Sequence, residues 1–250
     1  VETFSPNAAW IRCIVFSLAC WTIATLAGTT SRVFGEPLAT SDQLGNPAWW
    51  IFLAASVGMI ALAYLVIWPS NTLVFDRRRY WGAQILFGVI WGSGAGMWLA
   101  TLYVLSERTG WPKWGVWLLA FGLISLFQAL WQDMYWDVYV APEHDTPRSI
   151  KLKVPTTHIP NILVTLSFLV TYDNVAIFAI LQGAALLSAS IAMRMPPWWE
   201  TRRIHPANTE PGLFGLPRCK GWEGPVDDFA LGRAPRPEQK SEPAGSSRTD

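Results

Sequence analysis

The sequence predicts an all-α integral membrane protein of five or six transmembrane helices followed by a polar C-terminal tail. Three observations predict it. Only 15% of the 250 residues are charged and 51% are apolar, against about 25% charged in an average soluble domain. The charges are unevenly placed, with 22 in residues 1–200 and 15 in residues 201–250. Six stretches carry no Asp, Glu, Lys or Arg at all: 13–31, 43–75, 80–106, 114–132, 154–172 and 174–193, each 19 residues or longer. A bilayer span needs roughly 20 predominantly apolar residues. These numbers exclude a water-soluble globular domain and a disordered chain.

Each element follows in order. The first span covers roughly Trp10 to Thr29. Arg12 is its only nearby cation and Thr29-Thr30-Ser31 is a poor small-x-small cleavage site, so it reads as a retained span rather than a signal peptide. A polar loop, Ser31 to Pro47, delivers the chain to Trp49 and Trp50 at an interface, where an indole satisfies both its apolar ring and its N–H. The second span runs to about Trp68 and Pro69. Asp76-Arg77-Arg78-Arg79 is the most basic short loop, which the positive-inside bias assigns to the cytoplasm. The third span, about Tyr80 to Leu105, carries Gly88, Gly92 and Gly96 at four-residue spacing. That is a bare stripe on one helix face where a second backbone can approach closely, inside the chain or at a subunit interface. Trp111-Pro112-Lys113-Trp114 opens the fourth span, which reaches Trp131 or beyond.

The last apolar region, Ile159 to Met193, is interrupted by Tyr172-Asp173-Asn174. One helix of that length would measure about 50 Å against a core of about 30 Å. Two spans broken at Asp173 place Arg194, Arg202 and Arg203 on the side of Arg77–Arg79, so the positive-inside rule favours six spans over five. Residues 1–195 thus form the helical bundle, and 196–250 a Pro/Gly-rich extramembrane tail. The sixteen tryptophans recur at span ends, as two aromatic belts do; Trp91 and Trp98 are interior.

Several chemistries are absent from the pattern. The net charge of +1 gives no basic footprint for nucleic acid. Cys13, Cys20 and Cys219 form neither a CxxC nor a disulfide framework. No GxGxxG or GxxxxGK[ST] cradles a nucleotide. Two of the three histidines border one acidic segment, which contains Asp133, Asp137, Glu143, His144 and Asp145 and leads to His158. If the fourth helix continues, Asp133 and Asp137 lie one turn apart on one face. Carboxylates with imidazole suit a transition metal. The same residues, with Arg148, Lys151 and Lys153 nearby, equally describe a solvated salt-bridge face. Asp173 is the only charge between Lys153 and Arg194. It is either a proton relay or substrate contact within the membrane, or the turn between two short spans.

The run Asp137-x-Tyr139-Val140-Ala141-Pro142-x-His144 resembles a motif in the C subunit of copper membrane monooxygenases, a family that oxidises methane, ammonia or short hydrocarbons. There an acidic pair and then Phe-Val-Ala-Pro-x-His occur late in a chain of similar length and span content. The resemblance covers eight residues, 137–144. It implies a copper or other transition-metal site drawn from Asp133, Asp137, His144 and His158, and partner membrane subunits in a hetero-oligomer. It also implies a small apolar substrate arriving from the lipid, and a multi-pass location in a bacterial inner or plasma membrane. The family's copper site uses an Asp, a His three residues on, and a second His before a later span. Here Asp133-x-x-x-Asp137 with the distant His158 is the nearest analogue, so an aspartate stands for the first histidine and the spacing is stretched. The expected function is therefore a subunit of a membrane-bound oxidoreductase complex. The alternatives are a non-catalytic scaffold using the glycine stripe and tail, and a proton-coupled carrier built around Asp173.

Overall fold

Six helices run alternately through a single bundle in the computed structural model. It describes residues 3–4, 6–67, 79–135, 154–192, 195, 197–199, 202–203, 209–211 and 217–219. The first helix, α1, spans Pro6–Leu26, and Gly28 at φ 74° turns the chain into the short α2, Thr29–Gly35. A one-turn helix, α3 (Ser41–Leu44), is fixed by a capping box. Thr40 accepts from the Gln43 backbone N–H while the Gln43 side chain accepts from that of Thr40. Asn46 then caps α4 (Pro47–Ala61), its Oδ1 accepting from the Ala48 N–H, with Pro47 supplying the preset φ of a first helical residue. The helix continues into a π-helical turn, Leu62–Ile67.

The central helix is α5, Trp81–Glu107. It is followed by α6, Lys113–Tyr135, and by a second π-helical turn, Val154–His158, that leads into α7, Ile159–Tyr172. Asp173 takes the left-handed conformation at φ 51° and ends α7. Asn174 restarts the helix, its Oδ1 accepting from the Ile177 N–H, and α8 runs Val175–Ala192. Beyond it, Trp198 packs edge-on against Trp10 with ring centroids 5.1 Å apart. The only strands among the described residues are two short antiparallel pairings, Thr3–Phe4 with Arg202–Arg203 and Thr209–Pro211 with Pro217–Cys219.

Five of these helical stretches are long and apolar enough to cross a membrane: 7–26, 47–67, 81–107, 113–130 and 175–192. The sixth member of the bundle, α7, has 14 residues. Large aliphatic side chains such as Ile11, Leu18, Ile51, Leu65, Leu118 and Leu126 stay exposed on α1, on α4 with its π-helical turn, and on α6, a perimeter suited to lipid.

The spine of the bundle is the α5–α8 contact, and glycine makes it possible. A Cβ on Gly92 would land on the carbonyl oxygen of Gly183, one on Gly96 on that of Ala179, and one on Gly88 would lie 2.8 Å from Leu187 Cδ1. The stripe foreseen in the sequence therefore serves close packing within this chain. The opposite side of α5 meets α1, where a Cβ on Gly94 would lie 2.6 Å from Ser17 Cα. Trp91 is buried with Phe87, whose ring meets that of Trp10 edge-on at 5.1 Å.

Candidate functional site

The helix order sorts the bundle into two ends. The start of α1, the end of α4 and the starts of α5 and α7 meet at one end. The ends of α1, α5 and α7 and the starts of α4, α6 and α8 meet at the other.

At the first end, the two π-helical turns face each other. π-Helical turns are rare and frequent at functional sites. One carries Tyr64 and the other His158, and Tyr64 Oη lies 2.8 Å from His158 Nδ1. The His158 side chain is 1% exposed and Tyr64 is equally enclosed. His158 stands between Pro155 and Pro160, where proline bars regular main-chain hydrogen bonds.

The polar chain continues into the core. Thr165 donates to the main-chain carbonyl of Asn161 at 2.6 Å, and a carbonyl can only accept. Thr165 Oγ1 must then accept from Gln182, whose Nε2 lies 2.7 Å away. That turns Gln182 Oε1 toward Asn161 Nδ2, which donates to it at 3.1 Å and lies 3.5 Å from Tyr64 Oη. One main-chain carbonyl thus sets the orientation of both amides. It leaves Asn161 Oδ1 buried with no hydrogen-bond donor in reach among the described residues. Five polar side chains from the two π-turns, α7 and α8 form this cluster within the buried interior of the bundle.

At the second end the chemistry is ionic. Arg32 of α2 donates from Nε to Glu36 at 3.1 Å, from Nη2 to Asp173 at 2.9 Å, and from Nη1 to Glu107. Burial works against the guanidinium charge, but the three carboxylates more than offset it and hold the Arg32 pKa above the usual arginine value. Asp173 is 59% exposed and lies in the α7–α8 turn. The same turn anchors the α2–α4 connection: Asn174 Nδ2 donates to the Leu38 carbonyl and Gln43 Nε2 to that of Tyr172.

Of the residues singled out in the sequence, His158 lies in the polar cluster and Asp173 in the ionic one, at opposite ends. Asp133 falls in the last turn of α6, and its side chain is not among those described. Asp137 and His144 lie outside the described residues. Among the described residues no three His, Cys, Asp or Glu side chains come together as a metal-binding group. Sequence reasoning missed Tyr64, Asn161, Thr165 and Gln182. The signal available for two of them, Asn161 and Gln182, was an amide inside a charge-free window. No protein-family model, curated protein or solved structure matches this chain.

Proposed function

We propose that the chain is a multi-pass subunit of a membrane-bound oxidoreductase complex, in a bacterial inner or plasma membrane, with His158 contributing to a transition-metal site at the membrane boundary. The observation that carries this reading is the buried Tyr64–His158 hydrogen bond between two π-helical turns. Polar groups in the interior of a membrane bundle are costly and tend to be paired and functional. A metal-ligating histidine typically has its other ring nitrogen held by a hydrogen bond, which fixes the ring's orientation. Tyr64 stands in that relation to His158 Nδ1. The described residues offer this single oriented imidazole. Asp133, Asp137 and His144 would supply the remaining ligands, and the motif around Asp137 and His144 favours copper. The metal would supply the redox chemistry, while Tyr64 orients the ring and the surrounding apolar helices limit water. The apolar faces of α1, α4 and α6 would meet lipid and partner subunits.

The test is metal analysis of the mildly extracted native complex, comparing wild type with His158→Ala and His144→Ala. A near-stoichiometric transition metal that is lost in both variants while the complex stays assembled is the expected result. Tyr64→Phe should weaken metal retention by about 10- to 100-fold, the usual effect of removing an orienting partner. Equal metal in all samples, or none in any, would reduce the polar cluster to interhelical glue and the chain to a scaffold.

A further inference from the structure

Between α1, α5 and α8 the bundle opens outward through a groove of about 650 Å³, within the size range of small-molecule sites. Its floor is the α5–α8 crossing, where Gly183 and Ala184 present almost no side chain. One wall is Trp21 with Phe34 stacked on it, ring centroids 6.1 Å apart. The wall's polar atoms are already spent: Ser93 Oγ accepts from Trp21 Nε1 at 3.3 Å and donates to the Ile90 carbonyl at 3.0 Å. Along α8 the groove runs from Ala176 to Leu187. At 1.5 Å per residue that is about 16 Å, roughly half the thickness of a hydrocarbon core.

The groove is roofed at its ionic end by the segment from α2 to α3, pinned there by the Asn174–Leu38 and Gln43–Tyr172 hydrogen bonds. Its open side is flanked by the exposed Val89 and Ile180. The roof contributes Glu36 to the lining. Glu36 is the one charged residue there; it is paired with Arg32, and neither Arg32 nor Arg108 lines the groove. The lining therefore offers no cation to a phosphate or carboxylate head group, and its one charged side chain is an acceptor for a hydroxyl.

We propose that this groove binds an uncharged single-chain amphiphile from the bilayer, a long-chain alcohol. Its hydroxyl donates to Glu36 and its chain lies between Trp21 and Ala184. This rests on the membrane placement proposed above and is independent of the metal site. The test is photo-crosslinking of the full chain in lipid nanodiscs with three probes of equal chain length, each carrying a mid-chain diazirine: an alcohol, a fatty acid and a phosphatidylglycerol.

The alcohol should label peptides containing Trp21 and Ala184, and Ala184→Trp, which fills the groove, should cut that labelling about tenfold. Glu36→Gln removes the charge but keeps an acceptor, so it should retain the alcohol and admit the fatty acid. Fatty acid or phosphatidylglycerol labelling the wild-type groove as strongly as the alcohol would overturn the proposal, as would labelling indifferent to Ala184→Trp. Phosphatidylglycerol labelling of the exposed Ile11 and Leu18 on α1 checks the membrane placement separately. Its absence would remove that placement, and this proposal with it.

Discussion

The two ends of the bundle are tied by opposite chemistry. At one end a single guanidinium, Arg32, gathers Glu36, Glu107 and Asp173, all partly exposed to water. At the other, Tyr64, His158, Asn161, Thr165 and Gln182 pair with one another in full burial. Charges that keep some hydration attract each other weakly, and exposed pairs contribute about 0–1 kcal/mol. Neutral polar groups taken out of water gain about 1 kcal/mol per hydrogen bond, but leaving one unpaired costs about 1–3 kcal/mol. The ionic end can therefore loosen without loss of the fold, whereas the polar end is held as a unit. A bundle needs no buried amides to pack, so the second arrangement is where a function beyond packing is to be sought.

The largest effect should come from breaking the spine that joins the two ends. Gly92→Leu drives a side chain into the Gly183 carbonyl, and no rotamer avoids a backbone atom. Overpacking of this kind costs about 3 kcal/mol or more. Unfolding in mild detergent should show both ends lost together. A variant as stable as wild type would mean that α5 and α8 do not touch there.

Next comes the polar end. Asn161→Leu leaves Gln182 Oε1 without its donor, and Gln182→Leu leaves Asn161 Nδ2 and Thr165 short of partners. Each single change should cost about 2 kcal/mol. The double variant should cost less than the two together by about 1 kcal/mol, because the second substitution removes a group already stranded. Strictly additive losses in the same unfolding assay would show that the amides do not act as one chain.

Much of this contrast was legible in the sequence, but unequally. The charge-free windows marked the long apolar helices because a charge is costly at membrane depth, and the charges these helices do carry, Arg12, Glu107 and Lys113, fall toward their ends. The Asp173–Asn174 break was visible for the same reason: an aspartate that tolerates a left-handed φ and an asparagine that caps the next helix are turn chemistry. The glycine stripe announced a close helix contact, although the partner, α8, lies about ninety residues on and could not be named from local pattern. The ionic clamp was half legible, since Arg32, Glu107 and Asp173 each border a charge-free window and the alternation of spans brings those borders to one end. The polar cluster was not. Tyr64 and His158 are 94 residues apart, and both sit in π-helical turns, which leave no periodic signature in the sequence. His158 was singled out for its chemistry, and its partner emerged only from the packing of α4 against α7.

The smallest effect sharpens the comparison most directly. Arg32→Ala removes all three ion pairs at once, yet Arg32 is only three-quarters covered and its partners less so. The loss should be about 1 kcal/mol in low salt. Part of that loss is the mutual repulsion of Glu36, Glu107 and Asp173 once their shared cation is gone. That repulsion acts through water and is screened as the Debye length shrinks from about 30 Å at 0.01 M to about 3 Å at 1 M salt. The difference between wild type and Arg32→Ala should therefore narrow steadily across this range, while the cost of Asn161→Leu stays constant, because a buried neutral hydrogen bond has no ion atmosphere to screen it. Parallel denaturation curves for the two variants at several salt concentrations are sufficient. If both costs shrink together, the polar cluster is open to water and the two ends are alike; if neither shrinks, the Arg32 clamp is as enclosed as the amides.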